Sequence, residues 1–246
     1  MARVVGILGG MGPEATVDLF GKIVRNTPAA RDQDHLRIVV ENDPTIPDRT
    51  AAIFEGGPDP VPAMLEAGRR LVRAGVDFIV IPCNTAHYYY DRLTAGLDVP
   101  ILHIMEETAD LIARRHPAAR RVGLLATTGT VRAGLYDRAL AARGLEVIHV
   151  APSVQEMVMR AIYGRDGIKA GVYDGPREIL IAAGRALAED GADVVVAGCT
   201  EIPLVLKEGM LPVPVIDATE ALALAAVAEA LGLERGRERN HGPRGK

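Results

Sequence analysis

The sequence predicts an α/β protein of two pseudo-symmetric lobes, each a mostly parallel sheet flanked by helices, with a cleft between them. Short apolar runs rich in β-branched residues alternate with helical patterns along the 246 residues, which is typical of parallel sheets covered on both faces. Landmarks of the first half also return in the same order in the second half. Gly6 precedes Cys83 by 77 positions, and Gly123 precedes Cys199 by 76. Repetition at nearly constant spacing indicates an internal duplication.

The first half begins with a strand that runs directly into a glycine turn. Pro13 and Glu14 suit the first turn of the helix that follows, since proline fits the start of a helix and an acidic side chain its positive end. Residues 44–50 contain two prolines and are predicted to be irregular. The predicted order is strand 3–8, helix 13–24, strand 36–40, irregular segment 44–50, helix 60–74, a strand leading to Cys83, a helix, strand 99–103 and helix 106–115.

The second half repeats this plan. Residues 121–130 mirror residues 4–13, and residues 213–216 match residues 99–102. The last helix, predicted over 218–231, is rich in alanine and leucine and is expected to pack back on the first lobe. The predicted division is a first lobe of residues 1–105 and 218–233, a second lobe of residues 106–217, and a disordered tail of residues 234–246.

Composition argues against several classes of function. The net charge is −4, and the body of the chain has no long run of like charges, which disfavours nucleic acid or an anionic membrane as the main partner. No apolar run reaches the roughly 18 residues of a membrane span, and the first residues lead into a glycine turn rather than a signal peptide. We expect a cytoplasmic protein whose two cysteines are free thiols rather than a disulfide.

The two cysteines occupy equivalent places in the two halves. Each ends an apolar strand, and Thr85 and Thr200 are the predicted N-caps of the helices that follow. The positive end of a helix lowers the pKa of a nearby thiol and favours the thiolate. Glu201 would act in the opposite sense and could keep Cys199 protonated while Cys83 is ionised. A buried cysteine is often plain core filling, but its repetition in both halves favours a functional pair.

A symmetric pair of thiols suits two-sided proton transfer. Racemisation of an amino acid needs a base on one face of Cα and an acid on the other, and the roles exchange in the reverse direction. Cys83 and Cys199, one ionised and one protonated, meet this requirement, and we expect the active site where pseudo-symmetry brings them together in the cleft. The α-proton is weakly acidic, so the site must stabilise the carbanion electrostatically. Neutral donors that could do so at the α-carboxylate are Asn84, Thr85, Thr127, Thr130 and Thr200.

Two cations are candidates for binding a carboxylate. Arg49 lies in the proline-bounded segment that follows a strand, where ligands bind in open α/β sheets. A loop arginine is most often solvated, but this position favours bidentate binding of a carboxylate. Lys169 lies in a glycine-punctuated stretch, residues 163–175, which is equally consistent with a plain loop and with a mobile lid.

Two other kinds of site are less well supported. Residues 10–15 fit a loose dinucleotide fingerprint after a strand, but the acidic residues of the next strand come about ten positions too late. A seat for a carboxylate or phosphate at the helix N-terminus explains this turn more simply. His87, His103 and His149 form no metal-ligand spacing with the cysteines, so we predict no metal.

Five motifs along the chain carry a family resemblance. They are residues 9–13 (GGMGP), 42–50 (NDPTIPDRT), 82–87 (PCNTAH), 126–130 (ATTGT) and 198–203 (GCTEIP). With these motifs, the chain resembles the aspartate/glutamate racemase family over nearly its whole length, and most closely the aspartate racemase branch.

The resemblance implies a cofactor-independent racemase of two α/β lobes, usually dimeric. It implies Cys83 and Cys199 as the acid/base pair and Arg49 and Lys169 as contacts to substrate carboxylates. Some relatives keep only one cysteine and carry out decarboxylation or isomerisation instead. Broad-specificity relatives share the motifs, which leaves the substrate side chain open. The candidate substrate-binding residues are Met11, Arg49, Thr50, Asn84, Thr85, Thr127, Thr130, Lys169, Thr200 and Glu201.

The sequence therefore favours PLP-independent interconversion of L- and D-aspartate, or of glutamate, by a homodimer that needs no cofactor. Its partner would be a small dicarboxylic amino acid. Three alternatives stay open: a non-catalytic two-lobed protein that binds small dicarboxylates, a related isomerase with a single working thiol, and a nucleotide-binding module.

Overall fold

The computed structural model describes residues 2–233, so the tail predicted to be disordered, residues 234–246, lies outside the described residues. Within residues 2–233 the chain forms seven strands and eleven α-helices, with short 3-10 helices between some of them.

The first sheet contains three parallel strands in the order β2-β1-β3. They are β1 (Val5–Gly9), β2 (Ile38–Asn42) and β3 (Phe78–Val80). The central strand β1 is buried along its whole length, as an apolar run in a parallel sheet should be. The helices of this half are α1 (Pro13–Asn26), α2 (Arg49–Phe54), α3 (Val61–Arg73), α4 (Tyr90–Thr94) and α5 (Ile104–Arg115), with 3-10 helices at Asp32–Asp34 and Thr85–Tyr89.

The second sheet contains four parallel strands in the order β5-β4-β6-β7. They are β4 (Arg121–Leu125), β5 (Glu146–His149), β6 (Val194–Ala197) and β7 (Val215–Asp217). The helices of this half are α6 (Thr128–Arg132), α7 (Leu135–Ala141), α8 (Pro152–Tyr163), α9 (Asp174–Glu189), α10 (Ile202–Val205) and α11 (Ala218–Leu231), with a 3-10 helix at Ile168–Ala170.

The two sheets repeat each other in register. Gly6 of β1 lies opposite Ile79 of β3, and Gly123 of β4 lies opposite Val195 of β6. In each half, an aspartate just before the third strand also accepts a backbone hydrogen bond from the start of the first strand. Val4 donates its N–H to Asp77 Oδ2 at 2.6 Å, and Arg121 donates to Asp193 Oδ2 at 2.8 Å. The predicted fold class, two related lobes with parallel sheets flanked by helices, is confirmed.

The predicted strand over 99–103 is wrong in extent. Only one bridge forms there, between Ile101 and Ile79, with Ile79 N–H bonded to Pro100 O at 2.8 Å and Leu102 N–H bonded to Ile79 O at 3.0 Å. Both halves have a proline without an N–H for the ladder at this place, Pro100 and Pro214. In the second half the regular strand β7 begins directly after Pro214, at Val215, so the proline alone does not explain the difference.

The segment predicted to be irregular, residues 44–50, ends in a helix. Asp48 accepts the N–H of Ala51 at 2.9 Å and so caps α2, which begins at Arg49. A side-chain cap of this kind satisfies one of the free N–H groups at the start of a helix. Arg49 therefore lies in the first turn of a helix rather than in a loop.

One apolar core joins the two halves. It contains Val5 and Phe78 from the first sheet, Val122 and Val196 from the second, and Leu222 of α11. Helix α11 packs on α1 and α5, as expected for a last helix that returns to the first lobe. The lobe boundaries at residues 105 and 217 stay a prediction. Among residues 2–233, no helix combines the length and the apolar character that a membrane crossing requires.

Replacing Gly10 by alanine is expected to destabilise the protein more than the same change at Gly75. Both glycines have positive φ, 94° and 82°, where a Cβ costs about 1–2 kcal/mol. A Cβ at Gly10 would also lie 2.3 Å from the backbone of Asp43, whereas Gly75 faces open space. Crowding adds typically about 1–3 kcal/mol. Equal thermal unfolding midpoints for the two variants would contradict the packing at Gly10.

Candidate active site

Both cysteines lie at the carboxyl ends of parallel strands. Cys83 follows β3, and Cys199 follows β6. Both are free thiols, and only 6% of Cys83 and 5% of Cys199 is exposed. The equivalent positions predicted from the duplication are therefore observed, and both thiols are shielded from bulk solvent.

A buried set of hydroxyl groups joins the two lobes beside the cysteines. Thr85 Oγ1 lies 3.0 Å from Thr127 Oγ1 and 3.0 Å from Thr130 Oγ1, in the second lobe. Thr200 donates its hydroxyl to Pro82 O, in the first lobe, at 3.1 Å. We call these four threonines and Pro82 the threonine seam. Each threonine that follows a cysteine thus bonds to the opposite lobe.

The prediction that Thr85 and Thr200 are N-caps is wrong. Cys83 is followed by a 3-10 helix without a side-chain cap, and Cys199 by α10, which has four residues and none either. Both threonine side chains are used across the seam instead. The capping threonine is Thr127, which accepts the N–H of Thr130 at 3.2 Å at the start of α6.

Glu201 connects Cys199 to Lys169. The Cys199 thiol donates to Glu201 Oε2 at 3.0 Å, and Lys169 Nζ lies 2.5 Å from Glu201 Oε1. Burial raises the pKa of Cys199 well above its usual value, Glu201 raises it further, and Lys169 opposes the shift. The expected lowering of this pKa by a helix is therefore wrong for Cys199, while the expected effect of Glu201 is observed. Burial opposes protonation of Lys169, but Glu201 and Cys199 outweigh it and raise the lysine pKa.

Arg49 is a buried cation beside Cys83. Its Nη1 donates to Ile46 O at 3.2 Å and to Pro47 O at 2.8 Å, and its Nη2 donates to Met11 O at 3.3 Å. Burial opposes the charge of the guanidinium, but the neighbouring Cys83, above all, and then Tyr163 and Asp48 outweigh it and raise the arginine pKa. With 7% exposure, Arg49 is not the solvated side chain that a loop position suggested.

Three buried polar atoms near this arginine lack a hydrogen-bond partner within the described part of the chain. They are Arg49 Nε, Thr50 Oγ1 and Asn84 Nδ2. The amide of Asn84 is oriented by Tyr136, which donates its hydroxyl to Asn84 Oδ1 at 2.7 Å. A buried donor without a partner is costly, so these atoms are suited to a polar ligand. The unpaired Nε lies on a side of the guanidinium that can bind a carboxylate.

A pocket of about 340 Å³ opens next to these groups. Four predicted substrate-binding residues line it, namely Met11, Arg49, Lys169 and Glu201. The other six are buried: Thr50, Asn84, Thr85, Thr127, Thr130 and Thr200. Neither thiol is part of the pocket wall. The remaining lining comes from Gly10, Gly12, Pro13, Glu14, Pro44, Ile46, Asp48, Tyr163 and Ile168.

One face of α8 was missed by sequence reasoning. Gln155 donates to Ala126 O at 3.0 Å, Met159 Sδ accepts the N–H of Thr128 at 3.1 Å, and Tyr163 donates to Asp48 Oδ2 at 3.3 Å. The spacing of four residues, which puts all three side chains on one side of a helix, was the available signal. Tyr163 lines the pocket from the second lobe, and Lys169 Nζ lies over its ring at 5.3 Å from the ring centre.

His87 holds the backbone of the first cysteine. Its Nδ1 donates to Cys83 O at 2.9 Å, and its Nε2 accepts the N–H of Ile104 at 3.3 Å. Burial and the neighbouring His103 lower the pKa of His87 to about 3, and burial lowers the pKa of His103 to about 4. Both rings are therefore neutral near pH 7. Among residues 2–233, His, Cys, Asp and Glu side chains form no group of three or more that could hold a metal ion.

The family model of the Asp/Glu/Hydantoin racemases matches residues 8–226 of this chain, which include both cysteines, the arginine and the lysine described above. The chain belongs to this racemase family. Among its relatives is the broad-specificity amino-acid racemase RacX of Bacillus subtilis (strain 168). The two sequences are 32% identical over 237 residues, 94% of this chain and 100% of RacX.

Solved structures of racemases share the fold. The aspartate racemase of Picrophilus torridus superposes with a TM-score of 0.83 at 34% sequence identity, over 94% of this chain and 95% of that one. A glutamate racemase of Francisella tularensis, solved with D-glutamate, has a TM-score of 0.66 at 16% identity over 95% of this chain and 84% of that one. The latter likeness concerns the fold alone.

Replacing Tyr136 by phenylalanine is expected to lower the free energy of unfolding by about 1–3 kcal/mol, because Asn84 Oδ1 then loses its buried donor. The matched control is Tyr88→Phe. Tyr88 is 49% exposed, so its hydroxyl can be lost for less than about 0.5 kcal/mol. Thermal unfolding of both variants measures the difference, and equal stabilities would show that the Tyr136 bond contributes nothing.

Acid is expected to destabilise the protein through His87. An unfolded histidine takes up a proton near pH 6.5, whereas folded His87 does so only near pH 3. The stability that neutral His87 contributes is therefore fully present above pH 6.5, and it is lost as the pH drops from 6.5 towards 3. Between pH 7.5 and 5 this ring alone removes about 2 kcal/mol. Urea unfolding at the two pH values should show a smaller loss, by about that amount, in His87→Gln. The same loss in both proteins would mean that native His87 is already charged at pH 5.

Proposed function

We propose that this chain interconverts the enantiomers of an acidic amino acid, aspartate first and glutamate second, without PLP. Cys83 and Cys199 would exchange protons with opposite faces of Cα. One observation carries this proposal: two thiols hold equivalent places in a duplicated fold but have opposite electrostatic partners, a guanidinium for Cys83 and a carboxylate for Cys199.

The opposite partners distinguish the two thiols. Burial and the carboxylate of Glu201 raise the pKa of Cys199 and favour its protonated form, whereas Cys83 lies beside the guanidinium of Arg49. Cys83 would remove the α-proton from one enantiomer while Cys199 delivers a proton to the other face. In the reverse direction the roles of the two sulfur atoms exchange.

The unpaired buried donors supply the stabilisation that such a reaction needs. Removing the α-proton moves negative charge onto the α-carboxylate, and donors that are already in place stabilise that charge without rearranging. Arg49 Nε, Asn84 Nδ2 and Thr50 Oγ1 are buried and without partners. They are suited to this carboxylate, with Thr85, Thr127 and Thr130 beside them.

Lys169 would bind the side-chain carboxylate of the substrate from the second lobe. Its side chain is 24% exposed and lines the pocket. The contact with Glu201 offsets much of its charge, and this favours a second candidate function, racemisation of a wider range of amino acids, such as that named for the Bacillus relative. A panel of acidic, neutral and basic amino acids distinguishes the two.

An exposed apolar stripe supports a homodimer. Val17, Phe20 and Val24 lie on one side of α1 and are 70%, 41% and 36% exposed. Their spacing of three and four residues puts them on the same helix face, and contiguous exposed apolar surface is typical of interfaces. The predicted dimer would cover this stripe.

Incubation with L-aspartate in D₂O without PLP is expected to yield D-aspartate with deuterium at Cα, measured by NMR and chiral chromatography. Cys83→Ala and Cys199→Ala should each lower racemisation by about 10²–10⁴-fold, the usual contribution of a general acid or base. Alanine fits both buried positions, and unchanged thermal midpoints serve as the folding control.

Other outcomes point to the alternatives. Aspartate binding without deuterium incorporation would identify a dicarboxylate-binding protein. Full activity in one of the two alanine variants would indicate chemistry at a single thiol, and the two-thiol proposal would then be wrong.

A further inference from the structure

A two-thiol racemase has a proton to restore after each turnover, and this step follows from the proposed function. When Cys83 removes a proton from one enantiomer and Cys199 delivers one to the other face, the enzyme is left with protonated Cys83 and ionised Cys199. That form can act only on the product enantiomer. Before the next molecule of the first enantiomer can react, Cys199 must regain a proton and Cys83 must lose one.

Cys199 is connected to the pocket through Glu201. Both thiols are about 95% buried, and neither is part of the pocket wall. Glu201 is itself only 3% exposed, but it is one of the residues that line the pocket, and its Oε2 accepts the hydrogen bond of the Cys199 thiol. A side chain that touches both the pocket and the buried sulfur connects the two.

We propose that Glu201 returns a proton from water in the pocket to Cys199 between turnovers. Glu201 takes a proton from a hydronium ion, which becomes water. It then passes that proton to the ionised Cys199, which leaves a thiol and a carboxylate. Cys83 gives its proton to solvent in a separate step.

Neighbouring groups are poorly suited to this task. Thr200 donates its hydroxyl to Pro82 O across the threonine seam, so that proton is already engaged. Lys169 keeps its proton firmly, because Glu201 and Cys199 together raise its pKa. Lys169 instead fixes the carboxylate through Oε1 and leaves Oε2 directed at the sulfur. Lys169 is therefore a positioning residue for this step, and Glu201 carries the proton.

Tracer perturbation measures the return step directly. An equilibrium mixture of isotopically labelled D- and L-aspartate is given a large excess of unlabelled L-aspartate. If the enzyme resets quickly, the label stays evenly divided. If the reset is slow, enzyme that has converted unlabelled L-aspartate acts next on labelled D-aspartate, and label accumulates transiently in the L enantiomer.

Glu201→Gln keeps the shape of the side chain but cannot carry the proton. In this variant, the transient accumulation of label in L-aspartate should appear at an aspartate concentration at least about 10-fold lower than in the wild type. The matched control is Glu189→Gln, which removes the same charge from an exposed position at the end of α9. This control should behave like the wild type.

The proposal is overturned if Glu201→Gln racemises aspartate and shows the transient only at the wild-type concentration. If that variant is too slow to follow, Glu201→Asp keeps a carboxylate but moves it away from the sulfur by one methylene. It should show the same transient, and its absence there would equally overturn the proposal. Racemisation of aspartate by the wild type is measured first, before any label is followed. If the wild type does not racemise aspartate, this outcome contradicts the proposed function and not the role of Glu201.

Discussion

The structure depends on hydrogen bonds between hydroxyl groups that are buried where the two lobes meet. Most buried hydroxyl groups are hydrogen-bonded, and in the threonine seam the partners come from the opposite lobe: Thr85 bonds to Thr127 and Thr130, and Thr200 bonds to Pro82. Because Thr85 stands two residues after Cys83 and Thr200 directly follows Cys199, these bonds hold the two turns that carry the sulfur atoms against each other. The common apolar core behind them, built from both sheets and α11, holds the sheets in the orientation that the seam requires.

Within this nearly symmetric frame, the charges are not symmetric. Arg49 comes from the first lobe and lies beside Cys83, whereas Glu201 and Lys169 come from the second and belong to Cys199. Duplication gives two thiols with the same backbone setting, so a difference between them has to come from side chains that the two halves do not share. Glu201 is one of these, since it stands two residues after Cys199, where the first half has Thr85 after Cys83. The proposed acid/base pair, which needs one proton between the two thiols, would take its asymmetry from these side chains.

Elements fixed by local sequence were predictable, and contacts between the lobes were not. Helix α11 covers residues 218–231 as predicted, and α1 starts at Pro13, because apolar periodicity and proline placement act within a few residues. The N-caps expected at Thr85 and Thr200 failed because each hydroxyl finds a better-placed partner in the other lobe, which no local pattern reveals. The burial of Arg49 and the bond from Tyr136 to Asn84 were missed for the same reason. Four of the ten candidate binding residues line the pocket and the other six are buried, and their role in binding stays a prediction.

The three backbone carbonyls that hold Arg49 have a consequence for the thermodynamics of binding. A flexible arginine loses rotamer entropy when it captures a ligand, a cost of roughly 0.5–1.5 kcal/mol. Arg49 has already lost that freedom during folding, since Ile46, Pro47 and Met11 fix its guanidinium. Lys169 instead reaches the pocket from a short 3-10 helix and is paired with Glu201. If it binds the substrate as proposed, it would have to exchange that contact for one with the ligand, so one end of the pocket would be preorganised and the other would adjust.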